Sequence, residues 1–473
     1  MENFIKVLKL RQLFSFYLLL ILLPLLVFLA QKAVTYFIGA LGEPANLIID
    51  VQSPPTPLSR SCQTLAQGGE VLPPNYLTPL QNQIKLLSVS YIRLDHLFDK
   101  YITVTKTGDA ITLDFTLLDQ QVKQILATGA LPFFSLSYMP PPLAQSDITS
   151  PPKNWSDWRF IVQKTIEHYS GTFQGGMSLP NLYYEAWNEP DLFGNWKTYG
   201  NRNYLDLYRQ TSLAATSAKV THDFKLGGPA TTGFYPAWIE SLLKTASQEN
   251  FKLDFISWHR YSPNPSDFQK DSLSFADLAI KYPAYGSLPR LITEWGSSGE
   301  NHSSFDNFIG AAHLISSCRE LIDSTELAFT FEIQDGESPE GKPYWGRWGI
   351  FTSPNSRSLP KPRYFALLLL NQLPQFRLPV SGEGSWVKSI ATIEAQQVSL
   401  LITNYDSHNS HSETVPITLT NIPPGVSQYT LSQIDLFGKI ITEKTLPVTN
   451  RQVTTSLFFS PNQTFLLRFT PNP

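Results

Sequence analysis

Residues 183–191 read YYEAWNEPD, the most informative stretch of the chain. A short aromatic and apolar run is followed at once by Asn188, Glu189 and the helix-breaking Pro190. A run of this kind, ended abruptly by a turn signal, predicts a buried strand. The end of that strand would direct the Glu189 carboxyl group out of the sheet. The pattern is typical of a side chain placed for chemistry.

A second stretch repeats the pattern. Residues 290–298 read RLITEWGSS, and there Glu294 again follows a short apolar run. Hydrolysis of a glycosidic bond uses one protonated and one ionised carboxyl group on either side of the anomeric carbon. Two carboxyl groups at strand ends therefore indicate glycoside cleavage.

On both sides of these two stretches, strand-like runs alternate with helical stretches, which predicts a parallel α/β sheet. Eight strands predict a closed (β/α)8 TIM barrel, whose functional side chains lie at the carboxyl ends of the strands. The predicted strands are 47–51, 91–94, 131–136, 182–187, 225–227, 254–258, 290–293 and 327–331. The predicted helices are 77–87, 113–128, 155–168, 204–220, 236–247, 273–281, 305–321 and 362–373.

After about residue 375 the helical period disappears, and apolar and polar residues alternate between Pro, Gly and Asn turns. This pattern predicts a small antiparallel β-sandwich domain. The predicted organisation is a cytoplasmic tip and transmembrane anchor at 1–42, a catalytic barrel at 43–374 and the β-sandwich at 375–473.

The N-terminus carries a separate signal. Lys6, Lys9 and Arg11 precede a charge-free stretch at 13–30, which is long enough for a helix that crosses a bilayer. The positive-inside rule keeps the basic side in the cytoplasm. We expect a single signal anchor with the catalytic domain outside the cytoplasm. The alternative is a cleaved signal peptide and a secreted protein.

Composition narrows the function classes. The net charge of -3 over 473 residues leaves no basic surface of the kind that nucleic acid requires. The low charged fraction, 16%, and the 36 prolines favour a loop-rich extracytoplasmic protein. Cys62 and Cys318 are the only cysteines, so they cannot form a cysteine-based zinc site. They either pair or remain as two buried thiols.

Three motifs, WNEPD, DFISWHRY and LITEWG, occur in this order. Together they resemble the retaining glycoside hydrolases of clan A, and most closely family 39. The stretches LPFFSLSYMP at 131–140 and KPRYFALLLLNQL at 361–373 add to the likeness. The resemblance covers the chain from about residue 72 to the C-terminus, since that family also carries a β-sandwich after its barrel.

The resemblance implies a role for each matching residue. Glu189 would be the acid/base and Glu294 the nucleophile. Asn188, His259 and Tyr261 would lie in the subsite that holds the cleaved sugar. Considered alone, His259 could equally be a core histidine with satisfied hydrogen bonds.

Other side chains are weaker candidates for substrate binding. Trp295, Trp345 and Trp348 could each stack on a sugar ring or simply pack in the core. Glu185 shares the inward face of its strand with Glu189, because side chains alternate along a strand. We expect it to form a hydrogen bond within the barrel.

One departure from the family concerns the second strand. The family's xylan-debranching members show Arg-x-His-Gly there, whereas Arg93 is followed by Leu-Asp-His in this chain. Arg93 stays a predicted sugar ligand. Because of this departure, His96 is not predicted to bind sugar, and the β-xylosidase specificity stays open.

The leading hypothesis is a membrane-tethered retaining glycosidase that cleaves β-linked oligosaccharide or polysaccharide, with xylosidase-like or exopolysaccharide specificity. No metal or cofactor is expected, because two carboxyl groups suffice for the chemistry. The expected partners are carbohydrate and, through the N-terminal helix, the membrane. One alternative is a non-catalytic carbohydrate-binding or envelope-assembly protein. A purely structural envelope protein would not explain the paired carboxylates.

Overall fold

The computed structural model describes residues 22–23, 42–69, 76–338 and 340–472. Within this part, eight parallel strands close into a barrel, each paired with the next in the chain and β8 paired with β1. The strands are β1 (Thr64–Gln67), β2 (Tyr91–Leu94), β3 (Leu131–Leu136), β4 (Leu182–Ala186), β5 (Phe224–Thr231), β6 (Phe255–Tyr261), β7 (Arg290–Gly296) and β8 (Leu327–Phe331). The predicted TIM barrel is confirmed.

An α-helix follows each barrel strand in the chain. The helices are α1 (Gln81–Lys85), α2 (Thr116–Thr128), α3 (Trp155–Ser170), α4 (Tyr204–Ser217), α5 (Pro236–Glu249), α6 (Ser266–Ala279), α7 (Phe308–Leu321) and α8 (Pro362–Asn371). Shorter elements sit in the loops: a π-helix (Leu97–Tyr101), a hairpin (Thr103–Thr107 and Ala110–Asp114) and 3₁₀ turns (Thr78–Leu80, Pro283–Tyr285, Ser303–Asp306 and Pro354–Ser356). The apolar faces of the helices pack on the outer side of the barrel.

The interior of the barrel is filled by aromatic and aliphatic side chains. Phe133, Phe255 and Phe329 come from three different strands and pack together, with the Phe133 and Phe329 ring centroids 4.8 Å apart. These side chains occupy the inner positions of an alternating pattern whose outer positions face the helices. The filled interior leaves the polar chemistry to the carboxyl ends of the strands.

Two antiparallel-rich sheets form the β-sandwich domain around their own apolar core. One sheet contains, in spatial order, Ile440–Pro447, Gln428–Ile434, Thr464–Asn472, Gln397–Asn404, Val387–Glu394, Phe376–Leu378 and Thr56–Pro57. The other contains Val380–Ser381, Leu47–Asp50, Glu413–Thr420 and Val453–Phe459.

The prediction of 47–51 as a barrel strand was wrong. Leu47–Asp50 pairs in parallel with Glu413–Thr420 and antiparallel with Val380–Ser381, in the sandwich. Leu47 and Ile49 are buried while Ile48 is exposed, the alternation of a strand with one solvated face. The first barrel strand is β1, whose sequence TLAQ is less apolar and therefore carries a weaker strand signal.

The predicted anchor at 13–30 lies outside the described residues. Across 42–69, 76–338 and 340–472, together with 22–23, no helix has the length and apolar character needed to cross a bilayer.

Cys62 and Cys318 form a disulfide, with their Cα atoms 5.9 Å apart. The bond ties the segment before β1 to α7, across 256 positions of sequence. Of the two alternatives for these cysteines, pairing is the one that the structure shows.

Candidate active site

A cavity of about 930 Å³ opens at the carboxyl ends of the barrel strands. Several strands and the loops after them contribute to its wall. The residues that line it include Asp95, His96, Lys100, Tyr138, Asn188, Glu189, Leu192, Phe193, Tyr261, Pro263, Glu294, Glu300 and Trp348. The cavity therefore lies where a TIM barrel carries its chemistry.

Glu189 reaches the cavity through a sharp turn after β4. Trp187 and Glu189 have φ angles of 77° and 44°, in the left-handed region that side chains other than glycine adopt rarely. The backbone of Glu189 donates to the Ala230 carbonyl at 2.9 Å and accepts from the amides of Leu192 and Phe193. Unusual backbone conformations of this kind concentrate at functional sites, where the surrounding structure holds them in place.

Glu294 owes its direction to an irregularity in β7. Leu291 belongs to the barrel interior, so strict alternation would also place Trp295 there and turn Glu294 outward. The pairing of β7 with β8 shifts register between Ile292 and Trp295. Because of this shift, Glu294 faces the cavity, whereas Trp295 packs outward against Phe268 of α6.

The two glutamates lie close together. One oxygen of Glu189, one oxygen of Glu294 and a ring nitrogen of His259 all fall within 4.8 Å of one another. His259 Nδ1 lies 2.8 Å from Glu189 Oε1 and 3.4 Å from Glu294 Oε2. Tyr261 donates its hydroxyl to Glu294 Oε2 at 3.0 Å. The cavity thus holds a compact, hydrogen-bonded pair of carboxyl groups.

Arg93 lies beneath this pair and joins its members. Its side chain is 1% exposed, and it donates through Nη1 to Glu294 Oε1, through Nε to Glu185 Oε2 and through Nη2 to Asn188 Oδ1, each at 2.8 Å. Asn188 donates in turn to the Tyr138 hydroxyl at 2.8 Å. The hydrogen bond expected of Glu185 is the one with Arg93.

Burial and charge oppose each other at Glu294. The pKa of this carboxyl is raised to about 7, chiefly by burial. The cations His259 and Arg93 lower this pKa, whereas Glu189 and Asp95 raise it further. Burial lowers the pKa of His259, but Glu294 and Glu189 outweigh that effect and leave the His259 pKa raised.

Glu189, His259 and Glu294 could also serve as metal ligands by their spacing. A cation bound there would, however, compete with the Arg93 guanidinium, which already donates to Glu294 at 2.8 Å. The positive charge beside the carboxylates is thus supplied by the protein itself. The arrangement fits acid and nucleophile chemistry better than metal coordination.

The tryptophans fall in different places. Trp295 is fully buried between β7 and helices α6 and α7, so the structure does not bring it to the cavity. Trp348 lines the cavity and donates through Nε1 to the Ser298 carbonyl at 3.0 Å. Trp345 is half-buried, and the Arg347 guanidinium lies over both rings, 4.7 Å from Trp345 and 4.3 Å from Trp348.

Tyr138 and Glu332 are site residues that were not predicted from the sequence. Glu332 is fully buried just after β8 and accepts from Gln67 Nε2 at 2.9 Å, and burial raises its pKa well above the ordinary value. The signal was present, because residues 327–332 read LAFTFE, an apolar run ended by glutamate as at 290–294. Nothing comparable in the sequence marks Tyr138.

Fold and site together define the class of protein, a TIM barrel with a close pair of carboxyl groups at the carboxyl ends of its strands. Comparison with known proteins makes this specific, since the profile of "Glycosyl hydrolases family 39" matches residues 53–437. The chain belongs to this family and is a glycosidase that hydrolyses O-glycosyl bonds. The family predicted from the three motifs is confirmed.

Two curated relatives are β-xylosidases. The chain is 25% identical to that of Caldicellulosiruptor saccharolyticus over 351 residues, covering 68% of this chain and 70% of the relative. It is 26% identical to that of Geobacillus stearothermophilus over 300 residues, covering 57% of this chain and 58% of the relative.

Solved structures share the fold. The GH39 enzyme from Xanthomonas axonopodis pv. citri superposes with a TM-score of 0.75 at 19% identity, over 91% of this chain and 98% of that one. A monomeric β-xylosidase from Caulobacter crescentus gives the same TM-score at 21% identity, over 91% of this chain and 100% of that one.

Proposed function

We propose that this glycosidase cleaves β-linked glycosides with retention of anomeric configuration, with Glu294 as nucleophile and Glu189 as acid/base. The observation that carries the proposal is the separation of the two side chains, one oxygen of each lying within 4.8 Å. Carboxyl groups about 5–5.5 Å apart are typical of retaining enzymes, whereas inverting enzymes need about 6.5–9.5 Å to admit a water molecule between them.

In the first step, a Glu294 oxygen attacks the anomeric carbon and the bond to the leaving oxygen breaks. Glu189 gives its proton to that oxygen. The Arg93 and Tyr261 hydrogen bonds hold the attacking carboxylate in place and favour its charged form. In the second step, Glu189 takes a proton from water, and the resulting hydroxide displaces Glu294 from the sugar.

Asn188 is placed to bind the sugar. Its amide oxygen accepts from Arg93, and one hydrogen of its amide nitrogen goes to Tyr138. The second hydrogen of that nitrogen is available to a sugar hydroxyl, because Asn188 lines the cavity. Two fixed partners orient this donor beside the reacting carbon.

For the substrate, we propose β-linked oligosaccharide or polysaccharide, with β-xylosides as the first compounds to test. The two β-xylosidases among the relatives support this choice. A cavity of about 930 Å³ is also larger than a single sugar ring requires.

The test is to trap the covalent intermediate. A 2-deoxy-2-fluoro-β-glycoside with a good leaving group should label the enzyme, and mass spectrometry of the peptides should place the sugar on Glu294. Glu294→Gln should remain unlabelled. Glu326→Gln is the matched control, since it makes the same chemical change at an exposed residue, and it should label as the wild type does. A label on another residue would overturn the assignment.

For the location, we propose that 13–30 anchors the protein with the barrel outside the cytoplasm. The length of the charge-free stretch and the basic residues before it support the anchor. The disulfide supports an oxidising compartment. Protease added to intact cells should digest the barrel and sandwich while a cytoplasmic marker survives. Protection of both would contradict the topology.

A further inference from the structure

Asp95 is a cavity carboxylate that the mechanism does not use. It follows β2 directly, lines the cavity and is 6% exposed. Among the described residues, no group donates a hydrogen bond to it, and its ion pair with His96 Nε2 spans 3.9 Å, too long for a hydrogen bond. Because this carboxylate opens onto the cavity, a donor supplied by a ligand there would stabilise it.

The neighbouring cations are committed to other partners. Arg93 donates to Glu185, Asn188 and Glu294. The Nδ1 atom of His96 lies 2.7 Å from Asp99 Oδ2, and Lys100 Nζ donates to the Gly69 carbonyl. Tyr76, Tyr101 and Tyr138 are also near Asp95, but among the described residues none of them donates to it, so its carboxylate is open to a donor from the cavity.

Asp95 follows Arg93 by two residues at the carboxyl end of β2, and it lines the same cavity as Glu294. It is close enough to Glu294 and Arg93 to act on both electrostatically. Contacts made by Asp95 would thus be felt at the ring that reacts.

The charges that line the cavity restrict the ligand. Asp95, Glu189, Glu294 and Glu300 are acidic, against His96 and Lys100. A uronate would add a negative charge beside the carboxylates of Asp95, Glu294 and Glu300, whereas a neutral sugar offers hydroxyl donors. The two oxygens of one carboxylate can accept from two neighbouring hydroxyls.

We infer that Asp95 is a specificity-determining residue that accepts hydrogen bonds from two adjacent hydroxyls of a neutral sugar in the cleaved-sugar subsite and disfavours uronates. The inference rests on the glycosidase function proposed above. The inference also explains the departure from Arg-x-His-Gly. In this chain Asp95, a hydrogen-bond acceptor, occupies the position of the histidine in that pattern.

The test combines variants of the enzyme with variants of the substrate. Wild type, Asp95→Ala and Asp95→Asn are assayed on the best neutral aryl glycoside, on its monodeoxy analogues and on the corresponding uronide. Asp95→Ala should lower kcat/KM on the parent sugar by about 10- to 100-fold, the size expected for hydrogen bonds to a charged group. On the analogue that lacks a contacted hydroxyl, the loss should shrink to a few-fold. Asp109→Ala, on an exposed hairpin turn, should match the wild type.

Each remaining outcome is informative. An equal loss on the parent and on every deoxy analogue, at an unchanged Tm, would show that Asp95 acts through the charge of Glu294 and not through hydrogen bonds to the sugar, and it would overturn the inference. A wild type that prefers the uronide would also overturn it. If the wild type hydrolyses nothing, the proposed function fails, and calorimetric Kd values for the methyl glycosides and their deoxy analogues decide the role of Asp95 by the same comparison.

Discussion

At the scale of the residue, Arg93 controls the charge of the site. One buried guanidinium donates to Glu294, Glu185 and Asn188 and so fixes the proposed nucleophile and the proposed sugar ligand relative to each other. Its planar fork suits three directed hydrogen bonds, which a lysine ammonium cannot reproduce in the same geometry. From the sequence, Arg93 was predicted only as a sugar ligand, without these three hydrogen bonds.

Removing the charge of Arg93 should change the pH dependence. Arg93 lowers the pKa of Glu294, so Arg93→Gln should raise that pKa and leave less of the nucleophile ionised at a given pH. The acid limb of kcat/KM should therefore move to higher pH. Arg93→Lys keeps the charge and should lose activity with a smaller displacement of the limb. A limb that stays in place in both variants would contradict this electrostatic role.

At the same scale, some features of the site could be predicted from the sequence and others could not. Glu189 and Glu294 could be predicted, because each follows its strand directly in the sequence. The hydrogen bonds of Arg93 could not, since they join residues 92, 95 and 201 positions apart. The register shift that turns Glu294 inward and Trp295 outward depends on the pairing of β7 with β8, which no local pattern encodes.

At the scale of the element, a buried ion cluster holds α8 to the loops of the cavity. Lys361, just before α8, is fully buried and lies 2.7 Å from Asp306 and 2.5 Å from Asp335. Arg363 on α8 donates to the Phe331 carbonyl at 3.2 Å, next to the buried Glu332. These contacts fix the ends of β8 and of the loop after β7, which carry part of the cavity wall.

Breaking this cluster should cost much stability. Lys361→Met leaves the buried Asp335 and the half-buried Asp306 without their cation, and we expect a loss of about 3–5 kcal/mol in the free energy of unfolding. Lys342→Met, at an exposed pair with Glu340, should change it by at most about 1 kcal/mol. Urea unfolding measures both. Equal small effects would show that the buried cluster contributes no more than a surface ion pair.

The same scale shows which elements the sequence could predict. Strands 91–94, 131–136 and 327–331 match the structure, because each is a short apolar run between clear boundaries. Strand 47–51 was assigned to the barrel because its apolar run comes first in the chain. Its partner, Glu413–Thr420, lies far along the sequence, so its place in the sandwich follows from tertiary pairing alone.

At the scale of the whole molecule, the sandwich and barrel are joined at several points. The N-terminal strand Leu47–Asp50 belongs to the sandwich although the chain then continues into the barrel. Tyr405 of the sandwich donates to the Pro263 carbonyl at 2.6 Å, and Pro263 lines the cavity. The second domain therefore supports one wall of the site.

The disulfide adds a covalent link to this assembly. Replacing Cys62 and Cys318 by serine should lower the free energy of unfolding by roughly 2–5 kcal/mol, because the unfolded chain regains the freedom of a long loop. Thermal unfolding of the variant against the oxidised wild type measures the loss. Reducing agent should lower the Tm of the wild type and leave the variant unchanged; a variant as stable as the oxidised protein would contradict this.

The different roles proposed for Glu294 and Glu189 are tested most directly by the anomeric configuration of the first product. Glu189→Ala should lose about 10²–10⁴-fold in rate on substrates whose leaving group needs a proton. On an activated aryl β-glycoside it should keep much of the first step, and added azide should yield a β-glycosyl azide by NMR. Glu294→Gln should be inactive on both. Initial release of the inverted anomer by the wild type, or turnover of the activated substrate by Glu294→Gln, would contradict the account.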